Sequence, residues 1–241
     1  MIKKKTLKNI KVALIIAVVS LSWGWPSGSD GQIVVSSPMA MVNSVQGNSQ
    51  IISEQNPKPT NLAIGHTIGP GSNITTSAQS KLFLAWETGM KTSLGEVSSV
   101  SFEQRENQGS VLNFIEVNQG AVRVTKQSGG GNVMPYKVIT PVGSIEPFDY
   151  DKPVDFIIEV YTPRMISVSV ISGTVVVQNL TSDNPTETMV SSCHVAYISS
   201  GNENSEVLPA KADLMMRLID GTTIPQTVAT AFICPVPIWL F

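Results

Sequence analysis

Residues 111–143, VLNFIEVNQGAVRVTKQSGGGNVMPYKVITPVG, constrain the fold more than any other stretch of the chain. Leu112, Phe114 and Val117 precede Asn118-Gln119-Gly120, and Val122 and Val124 alternate with Arg123 and Thr125 after it. Alternation with a period of two sends successive side chains to opposite faces, a pattern that suits a strand and not a helix. A glycine-containing break between two such runs predicts a hairpin that turns at 118–120. A second break, Ser128-Gly129-Gly130-Gly131-Asn132, leads to a short strand over 136–140. Pro141 stops that strand because it has no N–H to give to a ladder.

The same pattern recurs along the chain. Residues 62–76, LAIGHTIGPGSNITT, space Gly65, Gly69 and Gly71 between short apolar pieces and predict short strands joined by tight turns. Residues 81–86 and 91–94 flank Glu87-Thr88-Gly89 as a hairpin, and 97–103 read as a strand that is bulged or buried on both faces. A strand is expected over 156–161. Residues 166–170 alternate with serine, turn at Ser172-Gly173 and return over 174–178, which predicts another hairpin; 188–190 and 194–198 predict a last short pair. Residues 209–219, PAKADLMMRLI, place Leu214, Met215 and Leu218 on one helical face. Roughly a dozen short strands and one late helix define an all-β domain. A sandwich or barrel satisfies the pattern, and so does a β-solenoid with one G-x-V-x-V piece per rung.

The organisation expected is a signal peptide over 1–29, a polar leader over 30–60 with a first strand near 39–45, a β domain over 61–200, and an extension over 201–241. Pro38, Pro57 and Pro59 break the leader, so the compact part is expected to start near Leu62. The extension carries the short helix and an apolar tail, 232–241, interrupted by Pro235 and Pro237. That tail is too apolar to stay in water, and it is expected either to cap the fold or to dock on a partner.

Five lysines and no acid in residues 1–11, followed by the apolar run 12–21, read as a secretory signal, with Ser27-Gly28-Ser29 as a small-x-small cleavage site before Asp30. An uncleaved anchor is the alternative, with Trp23 and Trp25 suited to a membrane interface, and it would be the chain's only membrane contact. Only 14% of residues are charged, against about 25% in an average soluble domain, so Ser, Thr, Asn and Gln carry solubility. Loss of residues 1–29 removes five positive charges from a net charge of −2, leaving −7. This disfavours nucleic acid as a partner. The two cysteines, Cys193 and Cys234, pair as a disulfide in an oxidising compartment or remain two buried thiols.

No constellation of side chains announces catalysis, and no cofactor or metal is expected. The histidines are His66 and His194; Cys193 and His194 are neighbours on one strand, so their side chains point to opposite faces. Glu146, Asp149, Asp151 and Asp155 offer oxygen ligands without the spacing of a calcium loop, and read as a solvated loop. The pairs Glu87 with Glu96 and Glu103 with Glu106 read as surface acids on turns. Asn73 and Asn179 match the glycosylation pattern, with no consequence in a bacterial setting. Trp86, Tyr136, Phe148 and Tyr150 are candidates for a stacking surface for sugars or a peptide, and equally for packing.

Three blocks in order resemble the FecR domain of bacterial envelope proteins, covering roughly residues 41–200. The first is carried by Gly65, Ile68, Gly71, Ile74, Thr75, Gly89, Leu94, Gly95 and Ser98. The second is G-x-V-R-V with V-x-T-P-x-G, here Gly120, Val122 and Val124 with Thr140, Pro141 and Gly143. The third is V-S-V-x-x-G-x-V-x-V, centred on Gly173. The chain departs from the family at 146–155, where a Gly-Thr-x-Phe element is replaced by an acidic, Pro-rich insertion before Phe156. The resemblance implies a mostly β, solenoid-like fold and protein contacts in envelope signalling. Because only residues 1–11 precede the apolar run, it also implies a stand-alone periplasmic or secreted module and not a holder of a sigma factor. Its expected partner is an envelope protein, with a polysaccharide as the alternative.

Intact-mass measurement on exported protein should therefore find a chain beginning near Asp30. A full-length species retained in the inner membrane would contradict the cleavage reading.

Overall fold

A computed structural model describes residues 39–107, 110–127, 135–182, 185–201 and 205–223. In chain order the elements are β1 (Ala40–Gln46), β2 (Ser49–Ile52), β3 (Thr60–Asn61), β4 (Thr67–Ile68), β5 (Ser72–Thr76), β6 (Lys81–Trp86), β7 (Met90–Leu94), β8 (Ser99–Asn107) and β9 (Ser110–Lys126). They continue with β10 (Tyr136–Ile139), β11 (Gly143–Pro147), β12 (Val154–Thr162), β13 (Met165–Ser172), β14 (Thr174–Asn179), β15 (Glu187–Ser191), β16 (His194–Ser199), β17 (Glu206–Pro209) and α1 (Ala212–Thr222). The all-β expectation holds, and α1 is the helix among the described residues.

The strands form two sheets that share β9. One runs β4-β1-β6-β7-β9-β12-β13-β16-β17 and the other β3-β2-β5-β8-β9-β10-β11-β14-β15. Every pairing is antiparallel except β9 with β10. The first half of β9 pairs with β8 and β10, and the second half with β7 and β12, so one 17-residue strand is the middle of both sheets. This corrects the hairpin expected at 118–120. The register slips on the β8 side, between Ser99 and Val100, and Gly120 takes φ +83°, so the chain bends from one sheet into the other without reversing.

Ser172-Gly173 is corrected in the same way. β13 pairs with β12 and β16, while β14 pairs with β11 and β15, so the two serine- and valine-rich runs belong to different sheets. β15 and β16 are likewise joined by a bend at Ser192-Cys193 and do not pair with each other. The hairpin at Glu87-Thr88-Gly89 is as expected, joining β6 to β7. The acidic segment before Phe156 contains a strand, β11, and then the bend that carries the chain into β12. β1 and β2, ahead of residue 61, pair in both sheets, and packed residues begin at Met39.

Between the sheets lies one aliphatic core, with Ile115, Val117, Val122 and Val124 of β9 all fully buried. Trp86 of one sheet meets Phe102 of the other with ring centroids 5.7 Å apart, and the Trp86 indole N–H donates to Thr92 Oγ1 at 2.8 Å. A second apolar layer lies on the outer face of the first sheet, where Phe83, Ile157 and Val195 are buried, as are Met215 and Leu218 of α1. Lys81 Nζ donates to the carbonyls of Asp220 and Thr223, supplying the C-terminal cation that the helix lacks in its own last turn.

The bends are held by hydroxyls. Ser98 Oγ accepts from Ala121 N and donates to Ala121 O, both at 3.2 Å, while Thr76 Oγ1 donates to Gly95 O at 2.6 Å and accepts from Ser98 N at 2.8 Å. Each bend is thereby stitched to the next, and the close approach requires glycine at two of them. A Cβ on Gly120 would lie 2.8 Å from Val97 O, and one on Gly173 would lie 2.6 Å from Pro153 O. Gly120→Ala and Gly173→Ala should each destabilise the fold by about 1–3 kcal/mol from left-handed strain alone. Gly221→Ala, in α1 with nothing within 4 Å of the added atom, should stabilise by up to about 1 kcal/mol. Denaturant unfolding measures all three, and equal effects at the three sites would contradict the role given to the bends.

Candidate functional site

An open two-sheet fold ends in four edge strands, and these differ in how well they are guarded. β3 and β4 are two residues each, and β17 is closed by Pro209. β15, with the sequence ETMVS, has no Pro, no Lys and no bulge, and among the described residues it pairs only with β14. Alternation turns Val190 into the core and leaves Met189 62% exposed. Leu180, just after β14, is 49% exposed beside the same sheet. Among the described residues no strand pairs with the outward side of β15, an edge of the kind that accepts an added strand, next to apolar side chains.

One strand inward is a groove of about 380 Å³ lined by Phe148, Asp149, Lys152, Pro153, Val154, Ser172, Gly173 and Thr174. It is built by the bends that lead into β12 and β14, pinned by Phe148 N donating to Thr174 O at 3.0 Å. Thr174 is the register partner of Ser191, which places the groove beside the end of β15. Phe148 is 60% exposed on its wall. Asp149 Oδ2 lies 3.3 Å from Lys152 Nζ, and the backbone N–H of Asp151, with Lys152, holds the Asp149 carboxyl below the usual carboxylate range. Of the four aromatics expected as a stacking surface, Phe148 alone is exposed: Trp86 and Tyr136 are buried and Tyr150 is half-buried.

The other residues singled out in the sequence fall into structural places. Gly65, Gly71 and Gly89 occupy turns with positive φ, Thr75 faces solvent on β5, Gly95, Gly120 and Gly173 make bends, and Val122 and Val124 fill the core. Thr140 Oγ1 and Gly143 exchange two hydrogen bonds of 2.9 Å around Pro141, closing the turn between β10 and β11. Cys193 is disulfide-bonded and has φ +63°; Cys234, its expected partner, lies outside the described residues, as do residues 1–38 and the tail 232–241. His194 Nδ1 lies 3.0 Å from Ser192 O, and His66 Nδ1 accepts from Ala63 N, so neither histidine stands beside a nucleophile.

The acids disperse as well. Glu146 accepts from Tyr150, Asp155 pairs with Arg123 at 2.6 Å, Glu96 accepts from Gln79 N and Glu103 pairs with Arg105. Among the described residues no group of three or more His, Cys, Asp or Glu could hold a metal ion. Burial was the signal that the sequence withheld. Lys126 and Tyr136, 6% and 2% exposed, have enclosed polar atoms without hydrogen-bond partners, and the sequence reading gave Lys126 no role.

A scan against protein-family models finds no match, and a search of curated proteins finds none. Among solved structures, two crystal structures of a proposed anti-sigma factor from Parabacteroides distasonis ATCC 8503 are similar over 62% of this chain at 14% identity, with TM-scores of 0.47 and 0.48. This chain spans 65% and 64% of the length of those proteins, less than two thirds. No residue role passes from them to this chain at that identity.

Burial raises three phenols. Tyr136 and Tyr150 are pushed well above the usual tyrosine range, both first by burial, Tyr136 then by Tyr150 and Asp155 and Tyr150 by Glu146, and Tyr161 is pushed up to about 12 by burial and Glu159. The unfolded chain releases these protons near pH 10 while the fold retains them, so their contribution to stability is complete below about pH 10 and falls as the pH rises toward 12. Denaturant midpoints across this window, with phenolate absorbance of the folded protein, should show stability falling before the buried phenols ionise. Ionisation of all tyrosines near pH 10 in the folded state would contradict the burial argument.

Proposed function

We propose that the protein is an exported, non-catalytic FecR-like module that makes protein–protein contacts in the bacterial envelope in the service of signalling. The observation that carries this reading is the unguarded edge of β15 with Met189 exposed on it. Natural sheets protect such an edge unless something is meant to pair with it. The basic head and apolar run of the first 21 residues support export, and the low charge of the chain suits the same setting. The occupant that fits is an extended segment of a partner protein, held by backbone hydrogen bonds and by apolar contacts along Met189 and Leu180.

A second reading, carbohydrate binding, is favoured by one observation: the exposed Phe148 ring beside the hydroxyl-bearing Ser172 and Thr174 and the Asp149 carboxylate. An aromatic face with polar groups at its rim suits a sugar ring.

A photo-crosslinking residue at position 189, with a control at exposed position 64 on a turn far along the chain, separates the two in envelope extracts. Crosslinking to one defined protein at 189 but not at 64, lost in Met189→Lys with the melting temperature unchanged, is the outcome expected of strand addition. Retention on a polysaccharide column that Phe148→Ala abolishes and Met189→Lys leaves intact would move the function to the second reading.

A further inference from the structure

β15 ends at Ser191, and two residues later the chain reaches Cys193, which is disulfide-bonded. The chain has two cysteines, so Cys234 is the residue available to that bond. A disulfide holds its Cα atoms about 4.4–6.8 Å apart, close to the spacing of neighbouring strands. Such a bond sets residue 234 at the end of the edge strand that lacks a guard.

The intervening chain is long enough to make the return. Ala210 N, at the entry to α1, donates to Cys193 O at 2.8 Å, and Thr223 Oγ1, just past the end of α1, accepts from Arg123 at 3.1 Å. These two points are one helix apart, about 16 Å for 11 residues. Residues 224–233 can extend about 33 Å, so the chain can come back from Thr223 to Cys193 with both contacts in place.

The sequence after Cys234 suits an edge. Residues 235–241, PVPIWLF, number seven against the five of β15. In an extended strand the N–H and C=O groups of alternate residues point to the same side. Pro235 and Pro237 have no N–H and would share one side, which cannot complete a ladder, whereas Val236, Ile238 and Leu240 would share the other with every group present. A segment of this pattern pairs through one side only. On β15 it would turn its proline side outward, the guard that Pro209 gives β17. It would also bring five large apolar side chains to the exposed Met189 and Leu180.

We propose that residues 235–241 add to β15 as a strand in the resting protein, tethered by a Cys193–Cys234 disulfide, so that the chain covers its own binding edge and a partner segment has to displace it. This rests on the reading of β15 as the edge that accepts a partner, and it adds how that edge is controlled. A segment tethered so closely acts at an effective concentration on the order of mM, and a partner competes against that.

The test uses the full exported chain with a photo-crosslinking residue at position 189, and at exposed position 64 as the control. In purified protein, position 189 should crosslink within the chain to a peptide containing 235–241, and position 64 should not. Ile238→Pro removes an N–H from the pairing side and should abolish that crosslink, while Trp239→Pro adds a third proline to the outer side and should keep it. Cys234→Ser lengthens the tether and should lower the yield several-fold. In envelope extract, Ile238→Pro should capture the partner about tenfold better than the wild type, because the competing strand is gone. Should Ile238→Pro fail to fold, Cys234→Ser carries the same comparison. No intrachain crosslink from 189, a crosslink between two copies in its place, or equal loss in Ile238→Pro and Trp239→Pro overturns the proposal. So does partner capture that is the same with and without the competing strand. An intact intrachain crosslink with no protein captured by any variant overturns the strand-addition reading of β15 instead, so the two failures are told apart.

Discussion

The fold depends on one strand changing sheets without changing direction. β9 is central in both layers, so its bend at Gly120 sets which half of it β7 and β12, and which half β8 and β10, attach to. An ordinary sandwich connects its layers through loops, which cost chain entropy and leave backbone groups to satisfy. Here the connection is the strand itself, and the backbone groups at the bend are paired through Ser98 and Gly95 to Ala121. The constraint falls on local conformation: a positive φ and no side chain where the neighbouring bend comes within van der Waals contact.

The other bends repeat the solution in two groups. Those of the first half, near Asn48, Ser80 and Ser98, connect through hydroxyl and backbone hydrogen bonds to the bend of β9 at Gly120. Those of the second half, at 148–153, Gly173 and Ser192, gather near Val154, which pairs with Lys126 at the other end of the strand. The serines and threonines that replace charge in this chain are thus partly structural. Short hydroxyl side chains both donate and accept within the reach of a bend, which a lysine or glutamate does not. Low charge and many hydroxyls are in part a consequence of this architecture.

What was legible in the sequence was the strand content, and what was not was the sheet each strand joins. Alternation around Gly120 and around Gly173 reports two extended segments meeting at a left-handed residue, and this is true of a hairpin and of a bend between layers alike. Only long-range partners separate the two, here β7, β8 and β12 for the first site and β11 and β16 for the second. β11 was hidden because GSIEP has a glycine, a glutamate and a proline where strand formers are expected, and its pairing with β14 supplies what propensity does not. The four aromatics offered as a stacking surface were legible as a set, and their different exposure was not. Trp86, Tyr136 and Tyr150 are drawn inward by packing, and Phe148 stays out because it sits on a bend with no facing layer. Lys126 stands in the sequence directly before a glycine-rich loop, where nothing announces the burial that the structure gives it.

Stability is therefore placed on one part of the scaffold and the recognition we propose on another. Residues that build the bends hydrogen-bond to one another, and substituting them should be felt as lost stability. The second half carries the outer backbone of β15 and the exposed Phe148 ring, while enclosed polar atoms without hydrogen-bond partners occur in both halves, at Ser49 as well as at Lys126, Tyr136 and Ser169. An unfilled edge and unpaired buried donors both cost the isolated fold, the first in aggregation risk and the second in desolvation. A bent strand can carry both costs because its central position in each sheet anchors it on two sides, and the pairings on either side hold its geometry.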